Sequence, residues 1–233
     1  MKIMSFNTQH CKSYLSQNID YEVMADAIKR EDPDIVCLNE MRDAGEHEGF
    51  EPQTKILSEL CGMEYFYFAK AIEVYADSSP YGNALLSKNK ILTAETIAIP
   101  DPETKNGTRH YESRCILKVK LECGLTVLCV HIGLNSEEKE NAIKTILKNL
   151  EDERCILAGD FNMSPEDDLL LPIKERLQDA AKLFSEPLLS IPSDVPTRKI
   201  DYIFATPDIK IISADIPATV ASDHRPHTAE ISF

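Results

Sequence analysis

The run Cys155-Ile156-Leu157-Ala158 is wholly apolar, stops at Gly159, and then presents Asp160 and Asn162 on either side of Phe161. A short apolar run closed by a glycine reads as a strand buried on both faces, so the chain has to cover a sheet from two sides. Successive strand residues point to opposite faces, which places Asp160 and Asn162 together off the strand's end and turns Phe161 back into the core. A carboxylate beside a carboxamide can position a water, a metal ion or a phosphate oxygen. The pattern gains force because other strand-like runs also carry a polar residue at an end.

Taken in order, Lys2–Phe6 reads as a short buried strand ending at Asn7, and Asp20 caps a helix to about Arg30 with Val23, Met24, Ala27 and Ile28 on its apolar face. Asp32-Pro33 breaks that helix. Asp34–Leu38 is a second buried strand that ends at Asn39-Glu40, and a helix over about Gln53–Leu60 follows an acidic loop. Tyr65–Ala69 and Ala84–Ser87 are strand-like, separated by a turn at Ser78–Gly82. Strands over Ile91–Ile99, Tyr111–Leu121 and Leu125–Val130 come next, the last ending at His131. Asn135 or Ser136 caps a helix whose Ile143, Ile146, Leu147 and Leu150 share one face. A helical stretch runs from Ser164 to about Leu177, an irregular loop spans Ser185–Pro196, and strands cover Lys199–Ala205, Ile209–Ile216 and His227–Phe233.

Many strands with few helices, and hairpin-like spacing in the middle, predict a sheet-rich α/β protein with antiparallel pairing. Two sheets packed face to face with helices outside would bury both faces of such strands. The 233 residues show no repeat, low-complexity tract or linker, and read as one domain over residues 1–233. Met1–Phe6 lacks the blocks of a signal peptide, no run approaches membrane-spanning length, and the seven cysteines form no C-x-x-C pair. Reduced core cysteines in a cytoplasmic protein are the expectation.

Asn7, Glu40, His131, Asp160 and Asn162 follow strand ends, whereas Asp201 begins a strand and Asp223-His224 precede one. If the latter strands run antiparallel to the former, all of these side chains meet at one edge of the sheets. So many ionisable groups at one rim call for a cation, and oxygen donors of this kind prefer Mg²⁺ or Mn²⁺ to zinc. Histidines that titrate near neutrality, beside a metal and a water, suit phosphoester hydrolysis. Taken singly, Asn7 reads as a strand-end cap, Glu40 as a solvated charge and Asp223–Pro226 as a turn. In this order and together they read as a site. His10, His47, His110 and His227 lack such company and read as surface or structural.

The ordered set Phe6-Asn7, Leu38-Asn39-Glu40, Tyr81–Ser87, His131, Gly159–Asn162, Ile200–Ile203 and Ser222–Pro226 resembles the endonuclease/exonuclease/phosphatase superfamily, from Asn7 to Pro226. The resemblance implies a DNase I-like, four-layer α/β sandwich of two largely antiparallel sheets and outer helices. It implies that Glu40 is the main ligand of a Mg²⁺ or Mn²⁺ ion, with Asn7 and Asp223 at or near it. Asp160 would orient or deprotonate the attacking water, and Asn162 would hold the scissile phosphate. His224 would sit against the phosphate, oriented by Asp201, while His131 stabilises charge or assists proton transfer. Tyr81 and Asn83 would hydrogen-bond near the phosphate, and Arg114 would support that rim. Some nucleases of the group carry an acid near Asn83; the amide here departs from that pattern.

The formal charge of −14, from 39 acidic and 25 basic residues, disfavours binding along a nucleic-acid backbone, and tryptophan is absent. The leading expectation is a metal-dependent phosphodiesterase or phosphomonoesterase acting on a small or flexible phosphorylated substrate, with a DNA- or RNA-directed nuclease as the runner-up. A non-catalytic phospholigand-binding protein would be expected to have lost Glu40, Asp160, Asn162 or His224, and all are present. A calcineurin-like phosphatase would need a Gly-Asn-His-Asp/Glu motif that this chain lacks.

Overall fold

The computed structural model describes residues 1–75 and 78–233. Its elements in chain order are β1 (Lys2–Asn7), α1 (Tyr21–Glu31), β2 (Ile35–Arg42), α2 (Gln53–Cys61), β3 (Tyr65–Glu73), β4 (Pro80–Ser87), β5 (Ile91–Ile99), β6 (Arg114–Leu121) and β7 (Thr126–His131). There follow α3 (Ser136–Asn149), β8 (Cys155–Asp160), α4 (Leu171–Arg176), β9 (Gln178–Asp179), β10 (Asp201–Ala205), β11 (Lys210–Asp215) and β12 (His227–Ser232).

The strands form two six-stranded sheets, ordered β11-β12-β1-β2-β4-β3 and β5-β6-β7-β8-β10-β9. Each sheet has one parallel pair at its centre, β1 with β2 and β7 with β8, and every other pairing is antiparallel. Each parallel pair is joined through a helix, α1 in one sheet and α3 in the other, as a parallel connection requires.

Alternation along the buried strands divides their side chains between separate cores. Ile3, Ile35 and Cys37 face inward onto Leu117, Val127, Ile156 and Ile203 of the opposite sheet. Their neighbours Met4, Val36 and Leu38 face outward onto Met24 and Ile28 of α1 and Leu57 of α2. Likewise Leu128, Leu157 and Phe204 face outward onto Ile143 and Ile146 of α3 and Ile173 of α4. The result is the four-layer sandwich of helices, sheet, sheet and helices. Both long helices start at designed caps. The Asp20 carboxylate accepts from Val23 N at 3.1 Å, and Asn135 N donates to Glu138 Oε2 at 3.0 Å in a reciprocal capping box.

Several boundaries differ from the sequence expectation: β3 runs on past Ala69 to Glu73, β10 begins at Asp201 and not Lys199, and four further cases have a local cause. β2 does not end at Asn39-Glu40 but continues to Arg42, with Met41 opposite Gly82 and a register shift after Leu38. Those polar residues mark a bulge, in which Glu40 takes φ 60°. Ser78–Gly82 is not all turn, because β4 begins at Pro80 and Tyr81, Gly82 and Asn83 are ladder residues. β6 starts at Arg114 instead of Tyr111, since its partner β5 ends at Ile99 opposite Arg114; ahead of it Tyr111 Oη and Ser113 Oγ donate to Glu137 and Asp101. The Ser164–Leu177 stretch opens with a turn closed by Asp167 N to Ser164 O at 3.0 Å, and its helix is confined to a 3₁₀ turn at Asp168–Leu170 and α4.

Candidate functional site

The parallel centres of the two sheets bring four strand ends to one rim. Asn7 lies opposite Asn39 in the first sheet, and His131 lies opposite Asp160 in the second. The antiparallel β10 returns along β8 so that its first residue, Asp201, pairs with Asp160, and β12 begins at His227 opposite Ser5. Asp201 and Asp223-His224 therefore arrive at the same edge as the ends of the other group.

Asp160 is the hub. It is 2% exposed, and its Oδ2 is approached by Asn7 Nδ2 at 3.1 Å, His131 Nε2 at 3.6 Å and His224 Nε2 at 3.7 Å. Its Oδ1 accepts from Asn162 N at 2.9 Å, and its own N–H donates to Asn39 Oδ1 at 3.0 Å. Burial first, and then the charge of Asp201, pushes the Asp160 carboxyl up to about 7. Asn162 does not continue the strand's alternation: it takes φ 52°, a left-handed backbone, and its amide donates to Ile132 O at 2.9 Å. That kink keeps Asn162 at the rim while Phe161 packs edge-on against Tyr202 and Phe204.

The two imidazoles are held in opposite protonation states. Burial alone would lower His224, but the Asp201 carboxylate, 2.9 Å from Nδ1, outweighs it and raises His224 to about 10. His224 is thus an imidazolium with both N–H groups donating. Burial and the neighbouring Arg114 hold His131 well below the usual imidazole range. Arg114 Nη1 lies 2.9 Å from His131 Nδ1, and a guanidinium can only donate, so Nδ1 accepts and the proton of neutral His131 sits on Nε2. One neutral and one cationic Nε2–H donor therefore converge on one carboxylate oxygen.

Across the rim, Asn7 Nδ2 also donates to Glu40 Oε1 at 3.1 Å, joining the two sheets' carboxylates. Burial raises the Glu40 carboxyl, and the facing charge of Asp223 adds to it. Asp223 accepts from Ser222 Oγ at 3.0 Å, and its carbonyl accepts from Ser193 N at 2.8 Å. Tyr81 is half-buried beside Glu40, and burial together with Glu40 and Glu112 pushes its phenol well up. Arg114 Nη1 also pairs with Glu112 Oε1 at 2.9 Å.

Asn83 stands apart from its expected place near the phosphate. Its Oδ1 accepts from Asn39 Nδ2 at 2.8 Å and its Nδ2 donates to Cys115 O at 3.0 Å, between the sheets and 2% exposed. Two further residues matter that the sequence reading did not single out. Asn39 bonds to Asn83 on the neighbouring strand and reaches across the sandwich to Val130 O at 2.9 Å and to the Asp160 N–H, and Glu112 anchors Arg114. Their signals were faint: adjacency to Glu40 in one case, a spacing of two from Arg114 in the other.

The donor atoms of Asp160, Asp201 and His224 lie within 4.8 Å of one another. Asp201 and His224 are hydrogen-bonded together, however, and a protonated imidazole cannot ligate a cation. Glu40, Asp223 and Asn7 offer oxygen donors of the type hard divalent ions take, with two acids facing each other. That set fits such an ion, and the histidine side fits a phosphate.

A sandwich of two mixed sheets with this rim is the DNase I-like fold of phosphoesterases. The chain belongs to the Endonuclease/Exonuclease/phosphatase family, whose model matches residues 4–224. It is 25% identical to YbhP, an uncharacterized protein of Escherichia coli K12, over 99% of this chain and 95% of YbhP. Among solved structures it is similar to an endonuclease/exonuclease/phosphatase of Beutenbergia cavernae, with a TM-score of 0.83 and 21% identity, covering 100% of this chain and 71% of that one. A mannosyl-6-phosphatase of Bacteroides thetaiotaomicron is also similar, with a TM-score of 0.77 and 16% identity, covering 100% of both chains.

Proposed function

We propose that the protein hydrolyses a phosphomonoester or phosphodiester of a small or flexible substrate with the help of Mg²⁺ or Mn²⁺. The observation that carries this reading is the convergence of two Nε2–H groups and one amide on Asp160 Oδ2. The same donors can turn to non-bridging phosphate oxygens, where charge builds in the transition state. Asp160, a carboxylate pushed up to about 7, takes the proton of an attacking water near neutral pH. Asp201 keeps His224 charged and oriented, Arg114 fixes the donor nitrogen of His131, and Asn162 and Tyr81 steady the phosphate. Glu40, Asp223 and Asn7 would hold the divalent cation, which would supply Lewis-acid polarisation of the phosphoryl group.

The net charge of −14 weighs against a long nucleic-acid track, and likeness to a mannosyl-6-phosphatase over the whole of both chains agrees with a compact substrate. Among the described residues, no helix is long and apolar enough to cross a membrane, and all seven cysteines are free, which fits a reducing compartment such as the cytoplasm. The test is hydrolysis of a panel of DNA, RNA, p-nitrophenyl phosphate, bis-p-nitrophenyl phosphate, sphingomyelin and sugar and inositol phosphates, with Mg²⁺ or Mn²⁺ against an EDTA control. Metal-dependent turnover of a small phosphoester is expected, reduced about 100-fold or more in Asp160→Asn and in His224→Gln. Full turnover in both variants would overturn the assigned roles.

A further inference from the structure

A cavity of about 580 Å³ opens beside the rim, within the range of small-molecule sites. One wall is the Ser164–Glu166 turn that leaves Asn162, and another is the Thr197–Lys199 segment that enters Asp201. A chain spans at most about 3.6 Å per residue, so the backbone of Ser164 lies within about 7 Å of Asn162, and that of Lys199 within about 7 Å of Asp201. Two of the lining residues, Ser164 and Lys199, thus stand two positions along the chain from the rim residues Asn162 and Asp201. A third wall runs from Ala181 to Leu189.

These walls are braced against the site. Arg225 N donates to Ser190 O at 2.7 Å, Ser193 N to Asp223 O at 2.8 Å, and Ile200 N to Ser190 Oγ at 3.3 Å. Lys199 Nζ lies 3.3 Å over the Tyr202 ring and donates to the carbonyl of Asp201 at 3.1 Å. Phe184 packs its ring 5.4 Å from that of fully buried His227. Lys199 of the lining is thus tied to Asp201, and the Ser190–Ser193 stretch that follows the third wall is tied to Asp223 and Arg225 on either side of His224.

Its chemistry is selective. Pro165, Phe184, Leu188 and Leu189 give it apolar, half-buried walls. Arg198 and Lys199 are balanced by Glu166 and Glu186, so the cavity offers no net charge to attract a second anionic group. We propose that this cavity receives the alcohol part of the phosphoester, and that the substrate is the phosphate ester of an uncharged, ring-bearing alcohol with an apolar face. The inference rests on the hydrolase reading above. The phosphate sits at Asp160 and the histidines while the ring lies between Phe184 and Leu188. Alcohols that carry further phosphates are excluded, because the balanced lining cannot compensate them.

The test uses non-hydrolysable probes with the full chain in Mg²⁺. Calorimetry compares 1-naphthylmethylphosphonate with methylphosphonate, and hydrolysis of p-nitrophenyl phosphate is followed separately. The naphthyl probe is expected to bind at least tenfold more tightly than methylphosphonate. In Leu188→Arg, checked for an unchanged unfolding midpoint, that ratio falls to about one; Leu189→Ser, a milder change, lowers it part of the way. Equal affinity of the two probes in the unaltered protein overturns the inference and leaves the hydrolase reading standing. A ratio that persists in Leu188→Arg overturns it too, by placing the ring elsewhere. Tight naphthyl binding, lost in Leu188→Arg, with no hydrolysis of any ester, supports the cavity and overturns the hydrolase reading instead.

Discussion

At the scale of single residues, the site is a set of proton positions fixed by burial and neighbours. Asp160 has an ordinary value of 3.8 and is held at about 7 in the fold. The native state therefore keeps a proton that the unfolded chain has released. Its contribution to stability is complete below about 3.8 and is lost as pH rises through about 7. Asp160→Asn cannot lose that proton, so in metal-free protein its unfolding midpoint should gain on that of the unaltered chain between pH 4.5 and pH 8. A constant difference across that interval would show that Asp160 is not held up by its surroundings. His224, raised from 6.5 to about 10, loses its own contribution only at higher pH. Asp160, Asp201 and His224 were legible because each is polar close to where a buried strand begins or ends, and Glu40 because it breaks an apolar run, though the break is a bulge inside β2 and not its end. Asn39 and Glu112 were not: Asn39 meets Asp160 and Val130 only once the sheets are stacked, and Glu112, just ahead of its strand, matters only through the place of Arg114 at the rim. Sequence order carries no trace of such a meeting.

At the scale of elements, two departures from regular strand serve the rim. Glu40 is thrown out by a bulge in β2, and Asn162 by a left-handed residue just beyond β8. Gly159 shows how tightly β8 is seated. It has φ 146°, and a Cβ there would lie 1.8 Å from Val130 O on the parallel neighbour β7. Gly159→Ala should cost about 4 kcal/mol or more, read as a fall in the urea midpoint, because backbone would have to move. A loss under about 1 kcal/mol would mean that β7 and β8 separate easily. The glycine in the apolar run announced a strand's end, but the strand runs one residue further, through Asp160. Likewise Tyr81 and Gly82 looked like turn chemistry, whereas Gly82 lies where a side chain would strike Ala69 O at 2.0 Å. Glycine marks close approach as readily as it marks a turn, and only the neighbouring strand tells which.

At the scale of the whole molecule, each sheet supplies half of the site. The first brings Asn7 and Glu40, the second His131, Asp160 and Asp201, and the Ser222–Pro226 segment crosses between β11 of one edge and its neighbours to add Asp223 and His224. The facing acids Glu40 and Asp223 should make the fold more stable when a cation is bound. At a Mg²⁺ concentration 100 times its dissociation constant, the gain is about 2.7 kcal/mol, seen as a rise in the unfolding midpoint. Glu40→Gln should remove most of that rise, and an undiminished rise would put the ion elsewhere. Fold class and the layer order followed from buried strands and sparse helices, since alternation of side chains between two cores is written residue by residue.

The segment between β8 and β10 is long and mostly irregular, yet it begins at Asn162 and ends at Asp201. Its length and lining can change by inheritance while its two ends stay fixed on neighbouring strands. Descendants of such a chain can therefore diverge in diet while the reacting centre is passed on intact.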